Sequence, residues 1–314
     1  MKTLKKSFFI VLSLVLISMI NSPYSFASER YKMIFIVKSM DNPFWDMMIE
    51  GAKMAAKDLN IEMKCLGPVK PFNVEEQIRF IEDGITMGIH AVVVVPADSR
   101  GIVPGIEKAK KSGLVVVTPN TKALGSDVTT WTGVENEGSA YVIAKYVLGS
   151  LGGKGDIIIL EGAPGAQTVM DRKKGFERAI KEFPGIKVIA SQTARSSRVE
   201  GMRVMENLLQ QFQKIDAVLA ANDEMALGAI EAIDATGRLN KIKVSGFDMN
   251  NDALKAIKAG RLFVTGAQRP EAQAYWGVVA AYLALKGMPC PKEIVLPCPV
   301  VDKTNVDYYL KMAK

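Results

Sequence analysis

The feature that most constrains this chain is a repeated alternation of short, continuously apolar runs with longer amphipathic stretches. Residues 91–95 read Ala-Val-Val-Val-Val and residues 156–160 read Asp-Ile-Ile-Ile-Leu. Runs this short and this apolar suit strands covered on both faces, which is the situation of a parallel sheet. Strands are predicted at 31–38, 62–66, 91–95, 114–118, 156–160, 187–191, 217–220, 243–247 and 263–266. Helical periodicity fills the intervals at 44–59, 74–87, 102–111, 136–151, 168–183, 198–212, 224–236, 251–259 and 270–286. The fold class is therefore α/β with doubly wound parallel sheets. The polar stretch 120–132 holds Gly125 and has no helical period, and it separates two blocks of similar rhythm. It reads as the passage between two similar lobes, with the last 45 or so residues shared between them.

The 314 residues suit about two domains. The N-terminus has a different task. Lys2, Lys5 and Lys6 precede an apolar run from Phe8 to Ile20, then Pro23 and Ser25-Phe26-Ala27. This is the layout of a secretory signal peptide, cleaved after residue 27, with an uncleaved N-terminal anchor as the alternative. The run is short for a membrane span, and no later stretch is longer. Removing 1–27 leaves 287 residues with 37 basic and 33 acidic side chains, so the net charge falls from +7 to +4. No basic block stands out, which argues against a nucleic-acid binder. The expected address is the periplasm. Cys290 and Cys298 are close enough in sequence to bridge there, leaving Cys65 unpaired, although spacing does not supply the geometry of a disulfide.

In doubly wound folds, function gathers at the carboxyl ends of the strands. The first strand ends at Lys38 and is followed by Asp41-Asn42-Pro43-Phe44-Trp45. Asn120 follows the fourth strand, Arg172 lies beyond the fifth, and Asn222-Asp223-Glu224 follows the seventh. Phe247-Asp248 and Gln268 follow the last two. Amides both donate and accept, and carboxylates and Arg make the stronger contacts. Aromatic walls suit the C–H faces of a sugar ring. Each residue also has a plainer role. Asn42-Pro43 is a good N-cap and N1 pair, and Asp223-Glu224 suits a helix start. The binding reading comes from their coincidence at equivalent edges.

Asp41-Asn42-Pro43-Phe44-Trp45, Asn222-Asp223-Glu224-Met225-Ala226-Leu227-Gly228 and Gly246-Phe247-Asp248 closely resemble three signatures of the ribose/allose/galactose-type periplasmic binding proteins, the type I class. The resemblance spans essentially the whole chain after residue 27. It implies two lobes joined by three crossings near Val134, Arg269 and Pro299, with residues 28–134 plus 269–299 in one lobe and 135–268 plus 300–314 in the other. It implies a monomer that captures a monosaccharide or sugar alcohol and delivers it to the permease of an ABC importer. Some relatives also signal to a chemoreceptor or sensor kinase. Implied ligand contacts are Lys38, Asn42, Phe44, Trp45, Asn120, Arg172, Asn222, Asp248 and Gln268, with Phe247 lining the pocket. No cofactor, metal or catalytic residue is implied. Where ribose-type members carry an Asp-Arg pair, this chain has Asn120-Thr121, and a family aromatic aligns near Ser196. These departures point away from ribose itself. Gly67-Pro68-Val69-Lys70-Pro71 is similar to autoinducer-2 binding relatives, which gives an alternative ligand.

Other classes fit less well. A LacI-type repressor shares the fold but needs a DNA-binding segment where this chain has its export signal. Gly149–Gly155 is spaced wrongly for a phosphate loop, lacks the Ser/Thr after Lys154, and precedes a strand. Gly162-Ala163-Pro164-Gly165 is not a dinucleotide fingerprint, and the cysteines lack metal-site spacing.

Overall fold

The apolar runs become strands in two sheets in the computed structural model, which describes residues 30–312. The expected export segment lies outside the described residues. The first sheet is built from β1 (Lys32–Ile36), β2 (Glu62–Leu66), β3 (Ala91–Val94), β4 (Val115–Pro119), β5 (Thr130–Val134) and β11 (Glu293–Leu296). Their order is β2-β1-β3-β4-β5-β11, and every pairing is parallel. The second sheet contains β6 (Lys154–Glu161), β7 (Gly185–Thr193), β8 (Ala217–Ala220) and β9 (Lys243–Ser245), ordered β7-β6-β8-β9 and parallel. Single bridges at Ser245–Val264 and Asp248–Ala267 continue it to β10 (Thr265–Gly266), which pairs antiparallel with β12 (Val300–Val301).

Alternation along the strands sets the layers, because successive side chains point to opposite faces. In β1, Met33 and Phe35 enter one core while Ile34 and Ile36 enter another. The first core is covered by α1 (Pro43–Asp58) and α9 (Pro270–Leu285), the second by α2 (Val74–Thr86) and α3 (Val103–Lys111). The second sheet is flanked by α4 (Asn136–Ser150), α5 (Gln167–Ile180), α6 (Arg198–Gln211), α7 (Asp223–Ala235) and α8 (Asn251–Lys258) around one core. Helix α10 (Val306–Met312) packs beside α8. Where α1 meets α9, Gly51 is needed for close approach, since a Cβ there would lie 2.1 Å from the Glu271 carbonyl oxygen.

The stretch 120–132 is not the passage between lobes. It loops back and delivers β5 to the first sheet, in parallel with β4. The fully buried Thr130-Trp131-Thr132 was hidden by its polarity. The backbone absorbs that polarity. Thr130 Oγ1 donates to the Pro291 carbonyl, Thr132 Oγ1 to the Gln273 carbonyl, and Trp131 Nε1 to the Asn120 carbonyl. The chain passes from one sheet to the other three times: between β5 and α4, between β10 and α9, and between β11 and β12.

All three cysteines are free thiols, so the Cys290–Cys298 bridge does not form in this structure. Cys290 donates to the Ala280 carbonyl. Burial pushes the Cys298 thiol up to about 12. Among the described residues no helix is long and apolar enough to cross a membrane.

Candidate functional site

The carboxyl ends of the strands in both sheets face one cleft. Nine of the ten residues singled out from the sequence line it: Lys38, Asn42, Phe44, Trp45, Asn120, Arg172, Asn222, Asp248 and Gln268. The tenth, Phe247, stands behind the wall. It is fully buried, and the Arg172 guanidinium lies 4.0 Å from its ring centroid. That cation–π contact fixes the arginine.

Capping and cleft lining turn out to be one arrangement. Asn42 Oδ1 accepts from the Phe44 N–H at 2.9 Å and caps α1. The cap turns Phe44 and Trp45 into the cleft, their rings edge to face at 4.9 Å. Asn222 Oδ1 likewise caps α7 through the Met225 N–H, while its Nδ2 donates to the Ser196 carbonyl.

A chain of buried polar groups underlies the cleft. Asn120 Nδ2 donates to Gln268 Oε1 and Gln273 Oε1, and its Oδ1 accepts from Thr121. Gln268 Nε2 donates to Asp248 Oδ1 at 2.5 Å. Asp248 Oδ1 lies 3.6 Å from Arg172 Nη1, which donates to the Ala221 carbonyl, while Arg172 Nε donates to Asn136. Burial pushes the Asp248 carboxyl above the usual carboxylate range, against the pull of Arg172. Burial alone would cost several kcal/mol per ion, so the pair persists through its surrounding hydrogen bonds.

Asp248 is held in an unusual backbone conformation. It has φ 155° and Met249 has φ 67°, values that L-residues rarely adopt. Asp223 clamps this turn. Its carboxylate accepts from Thr265 Oγ1 at 2.6 Å and from the Asn250 N–H at 2.9 Å. Burial raises Asp223 to about 6. Glu224 is bound by Arg198 and by Asn250 Nδ2, so the acidic helix start does far more than complement a dipole.

Several donors lining the cleft have no protein acceptor. Lys38 is 3% exposed, and its Nζ makes no hydrogen bond or ion pair with any described residue. It lies 5.4 Å from the Trp45 ring centroid. Burial and the Arg172 cation bring its ammonium down from 10.5 to about 7, although Asp248 pulls the other way. Trp45 Nε1 is buried and unpartnered.

Phe72, Thr168, Val169 and Ser196 also line the cleft. Phe72 follows β2 and was missed, although the strand-edge rule points to that loop as to the others. Phe72 adds a third aromatic to the cleft beside Phe44 and Trp45. At one rim the two sides touch directly. The Ser99 N–H donates to the Gly165 carbonyl, and the Gln167 N–H donates to Ser99 Oγ, each at 3.0 Å.

Residues 33–289 match the periplasmic binding protein domain family. The ribose import binding protein RbsB of Bacillus subtilis is 36% identical over 261 residues, covering 83% of this chain and 84% of that protein. A solute-binding protein from Actinobacillus succinogenes solved with D-allose superposes with a TM-score of 0.85 at 29% identity, covering 89% of this chain and 100% of that one. A Bacillus halodurans solute-binding protein solved with myo-inositol gives a TM-score of 0.84 at 30% identity, covering 91% and 99%. With a matching domain across most of its length and the same two-lobed α/β architecture, this chain belongs to the periplasmic binding protein family.

Proposed function

We propose that this protein captures a monosaccharide-sized polyhydroxylated ligand between its two lobes and delivers it to an ABC importer, working in the periplasm as a monomer and without catalysing a reaction. The lobes comprise residues 28–134 plus 269–299 and residues 135–268 plus 300–314. The carrying observation is convergence. Polar side chains from the loops after β1, β4, β8, β9 and β10 are nine-tenths or more buried around one small cleft. Where one of them lacks a protein partner, as at Lys38 Nζ, the unmet capacity is expensive unless a ligand or water completes it. Phe44 and Trp45 give that ligand an apolar wall. Relatives whose ligands are ribose, allose and inositol support the ligand class.

The mechanism follows from the linkage of the lobes. A ligand touching both stabilises the closed arrangement through contacts that an open one does not complete. A thermal-shift screen of pentoses, hexoses, polyols and autoinducer-2 tests the reading, because a ligand that binds only the native state raises its stability. One clear stabiliser is expected. If Asp248→Ala and Arg172→Ala both bound that stabiliser with unchanged affinity, the cleft would not be its site.

A further inference from the structure

The donors and acceptors around the cleft do not balance. On the donor side, Lys38 Nζ makes no hydrogen bond or ion pair with any described residue, and Trp45 Nε1 is buried without a partner. Arg172 spends Nε on Asn136 and Nη1 on Ala221, and among the described residues its Nη2 has no hydrogen-bond acceptor. Asn42 has its Oδ1 occupied by the helix cap, so what it presents is an NH₂ group. The remaining lining amides, Asn120, Asn222 and Gln268, are engaged by protein partners through both their oxygen and their nitrogen. The only carboxylate in the lining is Asp248. Two buried basic side chains therefore face one buried acidic one.

A neutral sugar is a poor complement to this surplus. Every hydroxyl brings a hydrogen that needs an acceptor, and Asp248 is the only charged acceptor in the lining. A carboxylate is acceptor-only, with room for about four donors, and it compensates a buried cation. Resting on the reading of the cleft as the ligand site, we propose that the ligand is a sugar acid of monosaccharide size, an aldonate or a uronate, whose carboxylate is held by Lys38 within this donor cluster while Asp248 receives its hydroxyls. The lowered proton affinity of Lys38 agrees. Its charged neighbours are Arg172 on α5 and Asp248 after β9, and together they leave its charge uncompensated.

Calorimetry on the ligand-free full chain at pH 7 tests this with matched pairs: D-ribose against D-ribonate, and D-glucose against D-gluconate and D-glucuronate. At least one acid should bind about tenfold or more tightly than its neutral parent. Aldonate and uronate arms distinguish an open-chain from a ring ligand. Lys38→Met should remove that preference, and Lys38→Arg should retain part of it, so a folding defect in one variant does not decide the matter. A neutral sugar bound as tightly as, or more tightly than, its acid overturns the inference and leaves the cleft as a sugar site. If neither acids nor neutral sugars bind, the sugar-site reading itself fails and takes this inference with it.

Discussion

Replacing Lys38 with methionine removes the buried ammonium and keeps most of the side chain's volume. The wild-type amine falls from 10.5 to about 7 on folding. That change corresponds to a ceiling of about 5 kcal/mol held against the native state when the amine is charged. Water entry and local relaxation reduce it, and exchanges of buried ionic groups for apolar ones typically stabilise by about 1–4 kcal/mol. The pH sign follows from the two states. Between pH 7 and 10.5 the unfolded chain holds a proton that the native one has released, so wild-type stability rises with pH across that window. The variant lacks this gain. We expect Lys38→Met to exceed wild type by about 1–4 kcal/mol at pH 6, with the gap narrowing by pH 9.5. Urea unfolding of ligand-free protein at pH 6, 8 and 9.5 measures it. A variant less stable than wild type at pH 6, or a gap that stays constant with pH, would refute the reasoning.

Other expectations concern the cleft and its supports. Asp248→Ala leaves Arg172 and Gln268 without their partner and should weaken binding of the native ligand by about 1–3 kcal/mol or more in calorimetry. Ser99→Ala removes the acceptor of the Gln167 N–H at the rim. It should lower affinity by about 0.5–1.5 kcal/mol and shift small-angle scattering of the bound state towards a more open form. Asp223 keeps its proton up to about pH 6 in the fold but only to its ordinary 3.8 when unfolded. Its contribution is therefore full below pH 4 and is lost as pH rises through 6. Asp223→Asn should flatten that part of the stability profile, as followed by thermal unfolding from pH 3.5 to 7.

Much of the architecture was legible because parallel strands announce themselves by composition. Val92, Val93 and Val94 need no tertiary information to be read as buried. The cleft was legible because the edge rule converts a strand list into a site. Two kinds of feature escaped. Strand β5 hid because its threonines satisfy their hydroxyls on carbonyls more than 140 residues away, at Pro291 and Gln273. Asn120 was placed at the cleft by the edge rule, but its tie to Gln268 and Gln273 was not, because those partners are 148 and 153 residues away and no local pattern reveals them. The clamp of Asp223 on the Asp248 turn was equally invisible, because an acid at a helix start has a sufficient local explanation in the helix dipole.

The meeting of α1 with α9 has a consequence for the order of assembly. Gly51 admits the backbone of Glu271 against a helix made 220 residues earlier. The first lobe's core stays open along one face until α9 arrives, and its sheet lacks an edge until β11 follows. Contacts between such distant residues form slowly, because the loop between them must close first. The first lobe is completed only when residues 270–296 have been made, whereas the segment 136–266 between the crossings holds all the strands of its own parallel sheet earlier. The topology therefore sets the order of synthesis against the order of completion for the two lobes, and leaves the first lobe's partial core exposed for longer.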